Sequence, residues 1–159
     1  MIKDIKTIGN NVLRGKCHAV REFNDPKLFM RLRDMAETMY DANGIGLAAP
    51  QIGIKRRMVV VDVGEGLMEF INPEIISSSE ETDETAEGCL SVPGRRGMVV
   101  RPKRIKLKAK DRYGEDFTLE ADGLLARCIQ HELDHLDGVL YVDKMTREIF
   151  DDEEETDEE

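Results

Sequence analysis

Gly123-Leu124-Leu125-Ala126-Arg127-Cys128-Ile129-Gln130-His131-Glu132-Leu133-Asp134-His135-Leu136 reads as one helix, because Leu125, Ile129, Leu133 and Leu136 recur near one side at helical spacing. Gly138, just past its end, supplies a stop. The same helix carries His131 and His135 one turn apart, so both imidazoles project to one side and can chelate a single cation. Glu132 lies next to the first of them and can reach a water on that cation. A solvated helix with satisfied histidines is the competing interpretation; it must place two of the chain's three histidines in this pair by chance.

Working outward, Ile105, Leu107 and Ala109 alternate with lysines, a turn follows over 112–116, and Phe117, Leu119 and Ala121 alternate again. This pattern predicts a hairpin with one buried face. Further back, the β-branched run over 57–63 and a strand-like stretch over 67–76 flank Gly64-Glu65-Gly66, which suits a turn and predicts a second hairpin. The Gly-Glu-Gly is no dinucleotide loop: a third glycine is lacking at the needed spacing and the chain re-enters a strand. Near the start, Asn24-Asp25-Pro26 precedes Leu28, Leu32, Met35 and Met39, the stripe of an amphipathic helix reaching Tyr40. Strands outnumber helices and join as hairpins. The expected class is α+β, with antiparallel sheets packed around the late helix and an N-terminal amphipathic helix.

The chain has 159 residues, the size of a single domain. Residues 151–159, DDEEETDEE, hold eight of its 33 acidic residues and no basic one, so the formal charge of -10 falls to -2 over the remainder. A run of like charge without apolar anchors cannot offset the entropy of ordering. The expectation is therefore one folded unit over 1–150 followed by a disordered acidic tail. With no Trp, platforms for stacking bases are scarce, which argues against specific nucleic-acid readout. The opening MIKDIKTIGN lacks the apolar run of a secretion signal, and no stretch approaches the roughly 20 apolar residues of a membrane span. A soluble cytoplasmic protein without a membrane partner is expected. Cys17, Cys89 and Cys128 are odd in number and widely spaced, as free thiols in a reducing compartment would be.

Two imidazoles do not complete a catalytic metal site, which takes three protein ligands and leaves a position for water. His18 sits in a charged segment far from the pair, and 136–144 offers no convincing Glu or His, so the ordinary HExxH metallopeptidase pattern is incomplete. Cys128 shares the histidine stripe, but helical side chains lean toward the helix N-terminus, so it points a turn away and reads as a wall or core residue. Cys17 has no motif around it. Cys89 stands in Glu87-Gly88-Cys89-Leu90-Ser91, where the glycine allows close backbone approach and a thiolate would cancel one unit of the metal's charge. Spacing alone leaves Cys89 between a ligand and a buried structural cysteine.

Three segments taken together go further. Gly44-Ile45-Gly46-Leu47-Ala48-Ala49-Pro50-Gln51, then Glu87-Gly88-Cys89-Leu90-Ser91, then Gln130-His131-Glu132-Leu133-Asp134-His135-Leu136 closely resemble, in this order, the peptide deformylase family in its bacterial form. The likeness runs from about Lys6 to Tyr141. It implies a metal-dependent hydrolase that removes the formyl group from the N-terminal formyl-methionine of new polypeptides and releases formate. It also implies that Cys89, His131 and His135 bind one Fe²⁺, with Zn²⁺, Ni²⁺ or Co²⁺ as substitutes, and that Glu132 is the general acid and base. By the same resemblance, the Gln51 side chain and the Leu90 backbone N–H stabilise the oxyanion, and Gly46 lines the formyl pocket with its backbone. Ile45, Leu124 and Cys128 resemble the walls of a pocket for the methionine side chain, and Arg96 an arginine beside the peptide groove.

The chain also departs from the family. Relatives commonly continue into a long, often basic C-terminal helix that helps docking on the ribosome, whereas here the chain turns acidic at Asp151. An N-formyl-methionyl peptide or nascent chain is the expected partner, with ribosome association transient at most. Thr85 and Arg127 stand where relatives often carry apolar residues beside the methionine pocket, which predicts a more polar rim. A metal-binding homologue without activity would usually have lost Glu132 or Gln51, and both are present.

Overall fold

Met58-Val59-Val60-Val61 form a strand without a single exposed side chain, and this short run organises the molecule. Strand geometry sends alternate side chains to opposite faces, so a fully apolar strand must be covered on both. Met58 and Val60 join one core with Leu28, Leu32, Met35 and Met39 of a helix, α1, spanning Pro26–Asp41. Val59 and Val61 join a second core with Ala126, Ile129, Leu133 and Leu136 of α2, Gly123–Leu136. The computed structural model describes residues 1–150; the expected acidic tail over 151–159 lies outside the described residues.

The strands follow as β1 (Gly46–Ala48), β2 (Met58–Val61), β3 (Met68–Ser78), β4 (Thr82–Cys89), β5 (Val92–Pro102), β6 (Arg104–Lys110), β7 (Asp116–Asp122) and β8 (Arg147–Ile149), with a short helix α3 over Tyr141–Lys144. One sheet has the order β1-β2-β3-β6-β7 and the other β4-β5-β8, with every pairing antiparallel. Both expected hairpins are present: Val61 pairs with Met68 across the Gly-Glu-Gly turn, and Lys110 pairs with Asp116 across the second. The fold is α+β, with α2 between the two sheets and α1 on the far face of the larger one. Among the described residues no helix is long and apolar enough to cross a membrane.

Local chemistry sets the ends of the two long helices. Asp25 caps α1 by accepting from the Leu28 N–H at 3.3 Å, and Pro26 fills the first turn, where no N–H is needed. All four residues of the expected α1 stripe are buried, each contributing roughly 2 kcal/mol of apolar transfer. At the end of α2 the Arg57 guanidinium, from the loop before β2, donates to the Leu136 carbonyl at 3.1 Å and to Asp137 at 3.0 Å. This cation satisfies a carbonyl left over at the negative end of the helix dipole.

Gly138 then turns the chain with φ +76°, and a Cβ there would lie 2.6 Å from the Arg14 carbonyl oxygen. Gly138→Ala is therefore expected to destabilise the fold by about 1–3 kcal/mol, from left-handed backbone strain and the clash together. A lower midpoint in urea denaturation at an unchanged m-value checks this; an unchanged midpoint would show that the α2 exit tolerates a side chain.

Candidate active site

β4 and α2 meet where Cys89, at the end of the strand, faces the histidine stripe. The ligating atoms of Cys89, His131 and His135 lie within 4.8 Å of one another, and Cys89 Sγ is 3.3 Å from His135 Nε2. Cys89 comes from a strand and the histidines from a helix, so the cluster exists only where the two elements are packed together. Among the described residues this is the one such group. Cys128, which the side-chain direction on α2 turns away from the pair, stays outside it and sits 3.6 Å from the Ile45 carbonyl oxygen. Cys17 is buried in the core beside α2, and its backbone N–H donates to the Leu136 carbonyl at 2.8 Å. His18 lies in a separate bridge with Arg56.

His131 is held from behind. Its Nδ1 meets Glu87 Oε1 at 2.8 Å, which leaves Nε2 for the cluster, and its ring stacks on Tyr141 with centroids 6.1 Å apart. Glu87 in turn accepts two hydrogen bonds from Arg101, at 2.6 and 3.0 Å, and one from Arg127 at 2.6 Å. Burial by itself would raise the Glu87 pKa, but the hydrogen bonds from His131 and Arg101 and the Arg101 charge hold it down at about 2. Burial opposes charge on His131 as well, yet its hydrogen bonds with Cys89 and Glu87 and the charge of Glu132 push its pKa up to about 10. His135 is driven the other way, by burial first and then by the neighbouring charge on His131. A proton and a cation thus compete for the same imidazole pair.

Glu132 is 5% exposed, and its Oε1 has no hydrogen-bond partner within the protein. Burial pushes its pKa up to about 7, with the charge of Glu87 adding to the rise and that of His131 opposing it. Gly46 permits this placement: a Cβ at that position would lie 2.5 Å from Glu132 Oε2 and 2.7 Å from Cys128 Sγ. Gln51, in the turn of 3-10 helix over Ala49–Ile52, is 1% exposed. Its Oε1 is fixed by the Ala48 N–H at 2.9 Å, so its Nε2 faces Ser91 Oγ at 3.1 Å and Cys89 Sγ at 3.7 Å.

Gly46, Gln51, Glu87, Cys89, His131 and Glu132 line one cavity of about 490 Å³, together with Ile45, Leu90, Leu124 and Arg127. Cys128 forms part of its wall. Arg96 is exposed on β5, opposite Gly88 and Ile149, and is not among the cavity-lining residues. Thr85 is exposed on β4 and also does not line the cavity, and the Arg127 charge is consumed by ion pairs with Glu87 and Asp83 at 2.6 and 2.7 Å. Arg127 does line the cavity, with its charge already paired. Glu87, Arg101 and Tyr141 had no role assigned from sequence; the available signal was Glu87 two residues before Cys89, on the same face of a strand.

The donor set suits a divalent transition metal: two imidazoles and a thiolate, with a buried carboxylate oxygen unpaired beside them. Comparison with known proteins agrees. The model of the polypeptide deformylase family matches residues 2–149. A peptide deformylase of Thermoanaerobacter pseudethanolicus is 54% identical over 155 residues, covering 97% of this chain and 94% of the relative, and one of Caldicellulosiruptor bescii is 51% identical over 152 residues, covering 96% and 90%. The crystal structure of peptide deformylase from Thermotoga maritima superposes with a TM-score of 0.90 at 44% identity, covering 92% of this chain and 99% of that one. A fold, a cavity and a Cys-His-His cluster of this kind, with relatives matched over nearly their full lengths, place the chain in the polypeptide deformylase family, metal-dependent hydrolases that remove the N-formyl group from nascent peptides.

Proposed function

We propose that Cys89, His131 and His135 hold one Fe²⁺ in this chain, that Zn²⁺, Ni²⁺ or Co²⁺ can replace it, and that Glu132 is the acid and base of deformylation. The carrying observation is the buried Oε1 of Glu132, without a hydrogen-bond partner, beside a Cys-His-His cluster of which Cys89 and His131 line the cavity. Cys89, His131 and His135 would hold a divalent cation whose Lewis acidity would make a nucleophile of water at neutral pH. Glu132 accepts the proton of that water and later delivers it to the departing amine, so that formate and a free N-terminus leave together. A buried carboxylate whose oxygen has no other hydrogen-bond partner is placed to make both transfers.

The oxyanion on the attacked formyl carbon needs donors already in place. Gln51 Nε2 and the Leu90 backbone N–H serve as these donors, and an amide adds stabilisation without a further charge to desolvate. Support comes from the rigid seating of Gln51 through Ala48. Gly46 offers backbone rather than side chain next to Glu132, leaving room for a formyl hydrogen where a larger acyl group would collide. Ile45, Leu124 and Cys128 receive the methionine side chain. Arg96 stands further along the peptide's path, beyond the cavity itself. The substrate is the formyl-methionyl end of a peptide or nascent chain in the cytoplasm, with only transient contact with the ribosome.

Formate release from formyl-Met-Ala but not from acetyl-Met-Ala, with one metal per chain after anaerobic purification, is the direct test; equal turnover of both peptides would overturn the formyl specificity. Glu132→Ala should retain the metal while turnover falls about 10²-fold or more, the scale of a lost general base. Turnover near wild type in the metal-loaded variant would remove Glu132 from the reaction. Cys89→Ala should lose tight metal binding, while Cys17→Ala and Cys128→Ala keep it. Stoichiometric metal in dialysed Cys89→Ala would send the search for the third ligand elsewhere.

A further inference from the structure

We infer that Arg127 is a positioning residue for the metal-binding histidine, acting through Glu87, as well as a wall of the side-chain pocket. The inference rests on the proposal that His131 is a ligand. Arg127 is 8% exposed, and its guanidinium makes four hydrogen bonds into the smaller sheet. One nitrogen donates to Glu87 Oε2 at 2.6 Å and to the Val99 carbonyl at 3.0 Å; the other donates to Asp83 Oδ1 at 2.7 Å and to the Asp83 carbonyl at 3.1 Å. One α2 side chain therefore ties the helix carrying both histidines to β4, which carries Cys89, and to β5.

The second cation matters because the first is shared. Arg101 serves Glu87 and, through its other terminal nitrogen, Asp134 at 2.9 Å. Glu87 Oε1 is already occupied by His131 Nδ1 and one Arg101 nitrogen, so Oε2 depends on Arg101 Nε and Arg127 alone. With Arg127 absent, Glu87 Oε2 keeps only Arg101 Nε, and the carboxylate orienting His131 is braced by one shared guanidinium instead of two. Outer-shell partners of this kind fix a ligand's tautomer and ring orientation, and their removal typically costs about 10–100-fold in metal affinity or activity. Lysine cannot replace the fork, since an ammonium is a point charge that cannot span Glu87, Asp83 and Val99 at once.

The test uses cobalt-loaded full-length enzyme, following Co²⁺ loss to a chelator, the thiolate-to-cobalt absorption, and kcat and KM for a formyl-Met peptide. Arg127→Met keeps an unbranched wall but no charge. It should release Co²⁺ about 10-fold faster or more, alter the absorption band and lower kcat, while KM stays within about twofold. In a Glu87→Gln background the same substitution should change the release rate less than about threefold, because the path through Glu87 is already cut. Wild-type release and kcat with a raised KM would reduce Arg127 to a pocket wall, and full additivity with Glu87→Gln would show that it acts by another route. Either result overturns the inference. Should Arg127→Met fail to fold, Arg127→Lys carries the test: about threefold faster release is expected, and release at the wild-type rate overturns it. Retention of Co²⁺ by His131→Ala would instead bring down the ligand assignment, and this inference with it.

Discussion

A single buried carboxylate, that of Glu87, is the constraint around which the active centre is arranged. At 7% exposure it could not remain ionised without partners, and its oxygens are shared by Arg101, Arg127 and His131. The two arginines continue to Asp134 and Asp83, and Asp134 meets Lys144 at 3.1 Å, so three carboxylates and three cations balance one another. A network closed in this way is costly to leave partly satisfied and correspondingly rigid. Its effect is geometric: β4, β5, α2 and α3 are joined at the level of the metal cluster, and the His131 ring has only one nitrogen to offer.

On the other side of the cluster the control is steric. Glu132 and Gln51 are buried, and the space between them and the cavity is set by backbone, with Gly46 touching Glu132 and the Leu90 side chain lying against Gly44. The cavity therefore brings polar groups, Glu132 and Gln51, together with apolar ones, Ile45, Leu90 and Leu124.

Much of this was legible in the sequence, and for identifiable reasons. The α1 stripe, the HExxH helix and the two hairpins each show one clean period, and each appears as expected. The β4–β5 hairpin does not: Thr82–Cys89 is rich in charge, and Val92–Pro102 carries Pro93, Gly94 and Gly97 in its first half and shows no strict alternation. Its strands are defined by mutual pairing more than by a buried face, a tertiary effect that local pattern misses. The same limit hid the partners of Glu87. A carboxylate near a cysteine in sequence gives no indication that two arginines, 14 and 40 residues away, will converge on it. Arg127 was singled out for its charge beside an apolar pocket, and the fold uses that charge internally instead.

The cluster draws its thiol and its second imidazole from positions 46 residues apart, on elements that touch only once β4 has docked on α2. No fragment ending before His135 can assemble all three donors, so during synthesis metal capture must wait until most of the chain has been made. Coordination then reports on completed tertiary structure, and the free energy of holding the ion adds to the stability of the docked sheets rather than to any isolated element. An ion held there would act as a late clasp between α2 and the sheet that carries Cys89.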